Sequence, residues 1–104
     1  MRAVRIHAAA AEEAAEAAAR YEKERTGLGF EFEHAISTAL DLLEEEFVPL
    51  VSVPGAAGVQ GVKRLLLRRF PYAVVVCEQN NEILVLAFAH HSRRPGYWRS
   101  RIKT

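Results

Sequence analysis

The sequence predicts an α+β domain in which a hairpin of two helices packs on a largely antiparallel, four-stranded sheet. Two observations carry this prediction: apolar side chains recur at a helical spacing in residues 30–47, and residues 63–90 form strand-like runs of branched and aromatic side chains. The predicted order is strand, helix, helix, strand, strand, strand, and then a short helical turn. A chain of 104 residues is long enough for one hydrophobic core, so we expect residues 1–104 to form a single domain.

The N-terminal half is predicted to supply the first strand and both helices. Residues 3–7 (AVRIH) alternate apolar and polar side chains, which places Val4 and Ile6 on the inward face of a strand. Strong helix formers fill residues 8–25, and Gly27 supplies a stop. Because the link is short, the next helix, residues 30–47, should pack antiparallel to the first. Its apolar stripe consists of Phe32, Ile36, Leu40, Leu43 and Phe47.

The C-terminal half is predicted to supply the other three strands. A loop rich in glycine and proline precedes the runs KRLLLRRF, YAVVVCEQ and EILVLAFAH at residues 63–70, 72–79 and 82–90. Pro71 separates the first run from the second. Asn80 and Asn81 tolerate the positive φ of a tight turn, so the last two strands should form a hairpin. Residues from Pro95 onward are predicted to form the helical turn.

Charge is distributed unevenly along the chain. Residues 1–53 contain five Lys/Arg and eleven Asp/Glu, a balance of −6, whereas residues 54–104 contain nine Lys/Arg and two Asp/Glu, a balance of +7. Helices often carry glutamate in any case, so this contrast could be structural. It equally predicts a basic face that suits an anionic partner.

The residue pattern argues against a targeted, membrane-spanning or cofactor-dependent protein. Glutamates interrupt the alanine-rich start, which neither a signal nor a transit peptide tolerates, and no apolar run is long enough to span a membrane. We therefore expect a cytoplasmic protein that does not contact a membrane. The segment GAAGVQG lacks the lysine of a phosphate-binding loop, so no nucleotide cofactor is expected.

A metal site is not expected either. His90 and His91 are adjacent in a predicted strand and should point to opposite faces, while His7 and His34 lie at unrelated positions. Cys77 has no cysteine partner and lies in the apolar run AVVVC, which predicts a buried strand residue.

Three segments resemble the RelE/ParE superfamily of toxins from type II toxin–antitoxin systems. They are RYEKERTGLGFEF at the predicted helix junction, GVKRLLLRRFPYAVVV entering the sheet, and ILVLAFAHHSRRPGYWRSR at the end. The resemblance runs in register across nearly the whole chain. It implies a RelE/ParE-like fold and a bacterial toxin that inhibits growth unless a cognate antitoxin neutralises it. The ending resembles ParE-like and plasmid-stabilisation proteins more than RelE nucleases.

The resemblance leaves two targets open. ParE-like members act on DNA gyrase without cutting RNA, which implies docking by the basic residues Arg64, Arg68, Arg69, Arg93 and Arg94. We favour this hypothesis. An inactive relative that has kept only antitoxin binding is a third possibility.

The alternative is a RelE-like endonuclease that cleaves mRNA on the ribosome. Metal-independent RNA cleavage needs a proton acceptor, a proton donor and a cation at the phosphate. His90, His91 and Tyr97 are the candidates for proton transfer, and the arginines would supply the cation. The same pattern has structural explanations: a histidine that ends an apolar strand is usually packed, and Tyr72 and Trp98 are expected to cover the ends of the sheet.

Two further expectations concern surfaces. Arg64 and Arg68 should share one face of the strand KRLLLRR, as a basic stripe. An apolar groove between the helices and the sheet, together with an open strand edge, should receive the antitoxin.

Overall fold

The computed structural model describes residues 2–45, 50–53 and 61–103. Its elements are β1 (Ala3–Ile6), α1 (Ala8–Glu24), α2 (Leu28–Leu43), β2 (Val51–Ser52), β3 (Val62–Leu66), β4 (Tyr72–Gln79), β5 (Glu82–His90) and a C-terminal 3₁₀ helix (Arg99–Lys103). The predicted α+β class, the helical hairpin and the C-terminal turn are confirmed. The second helix begins two residues earlier than predicted and ends at Leu43, and residues 46–47 lie outside the described part of the chain.

The sheet has five strands in the order β1-β5-β4-β3-β2, rather than the four predicted. The additional strand is the two-residue β2, which pairs with β3 and is too short to produce an alternating pattern. The sheet is mixed, because β1 runs parallel to β5 while the remaining three pairings are antiparallel. Asn80, at φ 54°, makes the predicted tight turn between β4 and β5.

The helical hairpin depends on Glu22 and two glycines. Gly27 lies between the helices at φ 90°, where side chains are strained. The Glu22 carboxylate accepts hydrogen bonds from the backbone N–H groups of Gly27 and Gly29, at 2.9 and 3.0 Å, and so satisfies donors at the start of α2. At Gly29 the helices approach so closely that a Cβ would lie 2.5 Å from the carbonyl oxygen of Ala18.

The face of the sheet that α1 and α2 cover, which we call the inner face, holds an aromatic core. The rings of Phe32, Phe70 and Tyr21 lie with their centroids 5.0–5.2 Å apart, and Tyr72 lies 5.0 Å from Phe32. Small side chains on α1 let it pack directly on this core: Ala10, Ala17 and Ala18 are buried. Of the predicted helical stripe, Phe32, Ile36 and Leu43 are buried, Leu40 is half-buried, and Phe47 lies outside the described residues.

The opposite face, which we call the outer face, carries a second apolar cluster. Residues of β3, β4 and β5 form it, and Trp98 from the C-terminal segment covers part of it at 5% exposure. Cys77 is buried here, as predicted. A bulge adds a residue to β5: Val75 pairs with Ala87, but Val76 pairs with Val85, so Leu86 is extra and joins Ala87 in the outer cluster.

Two sequence expectations are wrong in detail. Val4 packs against the inner core as predicted, but Ile6 is 41% exposed, because it ends a short edge strand. The strand β3 ends at Leu66, because residues 67–71 turn the chain back towards β4. Pro71, the last residue of this turn, has no backbone N–H to donate to a neighbouring strand. Arg68 therefore lies beyond the strand, and it does not share a strand face with Arg64.

Candidate functional site

A groove of about 440 Å³ opens on the outer face of the sheet, between the strands and the C-terminal segment. We call it the outer groove. Its floor is aliphatic, with Leu66 from β3, Ala73 and Val75 from β4, and Ala89 from β5. Residues 93–99 form its wall. Other lining residues include Val53, Arg64, His90, His91, Arg93, Arg94, Tyr97, Trp98 and Arg99.

The outer groove is strongly basic. Four arginines line it, and none of its described lining residues is Asp or Glu. Arg64 contributes from the middle of β3, where it pairs in register with Val51 on β2 and Val75 on β4. Its Nε is buried and has no hydrogen-bond partner among the described atoms. The positive charge of Arg64, beside three other arginines in the groove lining, favours binding of an anion.

Glu13 of α1 anchors the C-terminal segment that forms the wall. Its carboxylate accepts hydrogen bonds from the Tyr97 hydroxyl at 2.8 Å and from both terminal nitrogens of Arg101 at 3.0–3.1 Å. It also accepts from the backbone N–H of Phe88, while Arg101 donates to the carbonyl of Leu86. The Glu13–Arg101 pair thus satisfies the edge of β5 beyond the end of β1, where no strand is paired.

Tyr97 is held in place by this anchor. Burial, and then the hydrogen bond to Glu13, raises the pKa of its hydroxyl far above the ordinary value of 10.0. The guanidinium of Arg93 lies 3.8 Å from the centre of its ring, and that of Arg101 lies 5.3 Å away. The Tyr97 hydroxyl therefore stays protonated and donates a hydrogen bond to the Glu13 carboxylate.

The His90 ring also has contacts within the protein, with Ser92 and Tyr72. Its Nδ1 accepts from the backbone N–H of Ser92 at 3.0 Å and lies 2.8 Å from the Ser92 hydroxyl, which places the proton of the neutral ring on Nε2. Its ring packs edge-on against Tyr72, with 5.0 Å between centroids. The expectation that His90 and His91 lie towards opposite faces agrees with their contacts. The His90 ring packs on Tyr72 of the inner-face core and His90 borders a cavity beside α1, whereas His91 lines only the outer groove. His91 is exposed, and its backbone N–H donates to Pro71.

The predicted arginines separate into two groups. Arg64, Arg93 and Arg94 line the outer groove. Arg69 instead binds Glu31 of α2 at 2.6 Å, and Arg68 is exposed outside the groove lining. The Arg69 and Arg25 hydrogen bonds hold the pKa of the Glu31 carboxyl below its usual value.

Sequence reasoning did not identify two residues of this region, Arg99 and Glu13. Arg99 lines the outer groove because Gly96, at φ 79°, turns the chain back: the Arg99 Nε lies only 2.8 Å from where a Cβ on Gly96 would be. A glycine three residues before an arginine was the only local signal. Glu13 had none, because its neighbours in sequence are the exposed Glu12 and a run of alanines.

A second cavity, of about 390 Å³, lies between α1 and the end of β5. Its lining is mostly polar and includes Glu13, Glu16, Arg20, Ser92 and Arg93. The expectation of an apolar groove between the helices and the sheet is therefore wrong at this place. The alanines of α1 close that interface, and the aliphatic groove lies on the other face of the sheet.

Within residues 2–45, 50–53 and 61–103, no group of three or more His, Cys, Asp or Glu side chains is placed to hold a metal ion. None of the helices in this part of the chain is both long enough and apolar enough to span a membrane.

No protein-family model matches the sequence, and no curated protein matches it. One solved structure, titled "Chromosomal ParDE TA system from P. aeruginosa", has the same fold. It superposes with a TM-score of 0.71, covers 86% of this chain and 96% of its own, and shares 19% sequence identity. The predicted RelE/ParE-like fold is confirmed by this similarity.

Proposed function

We propose that this chain is the toxin of a bacterial type II toxin–antitoxin pair, and that it acts in the cytoplasm as ParE-like toxins do, by docking to DNA gyrase. The fold shared with a chain of a ParDE system supports the toxin class. The observation that carries the docking mechanism is the outer groove, where arginines and an aliphatic floor form a binding surface.

The state of the candidate proton-transfer groups favours docking over RNA cleavage. The Tyr97 hydroxyl is committed to Glu13, and a raised pKa keeps it protonated. Nδ1 of His90 accepts a hydrogen bond from the backbone N–H of Ser92. A general base needs a free lone pair at the reacting proton, and neither group provides one in this arrangement.

A RelE-like endonuclease is the second candidate, and one observation favours it. His91 is exposed in the same groove as Arg64, so an imidazole and a guanidinium line a common space. In this alternative, His91 transfers a proton and Arg64 binds the scissile phosphate.

The proposal includes a cognate antitoxin. An antitoxin segment with acidic residues would be attracted to the outer groove, because the described lining contains four arginines and lacks Asp and Glu. A small DNA-binding protein encoded in the neighbouring reading frame would be the candidate. Co-expression of that protein is expected to restore growth.

The test is induction of the chain without antitoxin, followed by assays of gyrase supercoiling and of mRNA cleavage on ribosomes. We expect growth arrest, loss of supercoiling and intact messages. The double variant Arg93→Ala/Arg94→Ala should relieve the arrest, whereas Arg5→Ala, an exposed arginine paired with Glu82 on β5, should not. Message cleavage that His91→Ala abolishes would instead establish the nuclease, and normal growth on induction would refute both activities.

A further inference from the structure

We propose that the outer groove binds an acidic, apolar peptide segment of the target protein, with one carboxylate of that segment on Arg64. The inference rests on the proposed docking function and specifies the chemistry of its partner. It assigns the central contact to a residue within the sheet instead of to the exposed arginines of the C-terminal segment.

The position of Arg64 carries the first step. Its register neighbours, Val51 and Val75, have apolar side chains, so neither can accept a hydrogen bond from the guanidinium. The buried Nε is left without a partner. Arg64 lines the outer groove, and a carboxylate can accept two parallel hydrogen bonds from a guanidinium, so a carboxylate in the groove would bind Arg64 with directed geometry.

The floor of the outer groove carries the second step. Leu66 is 49% exposed beside it, and Ala73, Val75 and Ala89 continue the aliphatic surface. Burying this floor against apolar side chains is favourable, and a simple anion has no apolar side chains to cover it. A ligand that satisfies both the floor and the arginines combines carboxylates with apolar groups.

The aromatic residues of the groove wall favour a peptide over a nucleic acid as the ligand. Proteins that bind single-stranded nucleic acid usually stack bases on exposed aromatic rings. In the C-terminal wall, Trp98 is 5% exposed, and Arg93 lies over the ring of Tyr97. These rings are therefore committed to the protein itself and give a base no free face.

The charge of the two layers carries the fourth step. Helices α1 and α2 contain eight Asp/Glu and two Lys/Arg, a balance of −6, and they lie on the inner face. The outer groove carries four arginines. An acidic segment is thus repelled from the helical layer and attracted to the groove, which orients its approach.

The experiment uses the full chain labelled with ¹⁵N and a 12-residue peptide of Glu-Leu-Glu-Ala repeats, followed by amide shifts and fluorescence anisotropy. We expect shifts centred on Leu66, Ala73 and Ala89. The variant Arg64→Met, which keeps an unbranched apolar stem but removes the charged guanidinium, should weaken binding about tenfold. Arg5→Met is the matched control and should bind as the parent does.

Three results would overturn the inference: no binding at millimolar peptide, equal binding of the same peptide with Gln in place of Glu, or tighter binding of a 12-nucleotide oligouridylate. Thermal unfolding of Arg64→Met checks that it is folded, and Arg64→Lys tests whether charge alone suffices. Gyrase inhibition is measured separately on the same variants. Inhibition that survives in Arg64→Met would refute the inference while the proposed function stands, and peptide binding without gyrase inhibition would refute the gyrase target alone.

Discussion

The Glu13 carboxylate accepts hydrogen bonds from the backbone N–H of Phe88 in β5 and from two side chains of the C-terminal segment, Tyr97 and Arg101. The Glu13 and Arg101 side chains are only 14% and 16% exposed, and every contact between them is a charge-assisted hydrogen bond. Removing one member of such a pair leaves the other charge poorly solvated. The wall of the outer groove therefore depends on a carboxylate that belongs to the helical layer.

We expect Glu13→Ala to lower the free energy of unfolding by about 3 kcal/mol, because Arg101 and the Phe88 N–H lose their acceptor. Glu12→Ala, at the exposed neighbouring position, should change it by less than about 0.5 kcal/mol. Urea unfolding followed by circular dichroism measures both. Equal stability of the two variants would show that the anchor is not used in solution.

At the scale of elements, the helical hairpin combines two glycines with different requirements. Gly27 needs a positive φ, but it has no atom within 4 Å of an added Cβ. Gly29 lies inside α2, where a Cβ would meet the backbone of α1 at 2.5 Å. Gly27 is therefore needed for its backbone conformation, and Gly29 is needed for the close packing of the two helices.

Gly29→Ala is expected to destabilise the fold by about 2 kcal/mol, because the two helices must move apart. Gly27→Asn should cost less than about 1 kcal/mol, since asparagine tolerates the left-handed region. The shift of the thermal midpoint compares them directly. A more severe effect at position 27 would contradict the assignment of the close approach to Gly29.

At the scale of the whole molecule, Glu78 connects segments that are distant in sequence. Its carboxylate binds Lys63 of β3 at 2.8 Å and Arg2 at 2.7 Å, while Arg2 also donates to the carbonyls of Leu43 and Glu45 at the end of α2. Lys63, followed by Arg2, lowers the pKa of Glu78 below its ordinary value of 4.5, although burial opposes this. The start of the chain, the end of α2 and the sheet are thus joined by one carboxylate.

A depressed pKa in the folded chain means that Glu78 stabilises it above the unfolded-state pKa, and that this contribution is lost as the pH falls through the folded-state value. We expect stability to fall with pH below about 4.5, and Glu78→Gln to flatten that decrease. Urea midpoints between pH 7 and pH 3 provide the measurement. Glu82→Gln, which alters the more exposed pair with Arg5, is the control and should retain the steeper decrease.

The sequence by itself determined the features that arise within a few neighbouring residues. The helical stripe through Phe32 and Ile36, the stop at Gly27 and the turn at Asn80 all follow from local period and backbone preference, and the structure has each of them. These features are enough to predict the helical hairpin and the antiparallel strands β3–β5.

Only the tertiary structure decided which charges meet. Arg64, Arg93 and Arg99 converge in the outer groove, although Arg69 has a similar sequence context and binds Glu31 instead. The two-residue β2, the end of β3 at Leu66 and the anchoring of the C-terminal segment by Glu13 likewise depend on partners distant in sequence. The physical reason is that ion pairs and edge contacts depend on where the chain folds back, which a local pattern does not specify.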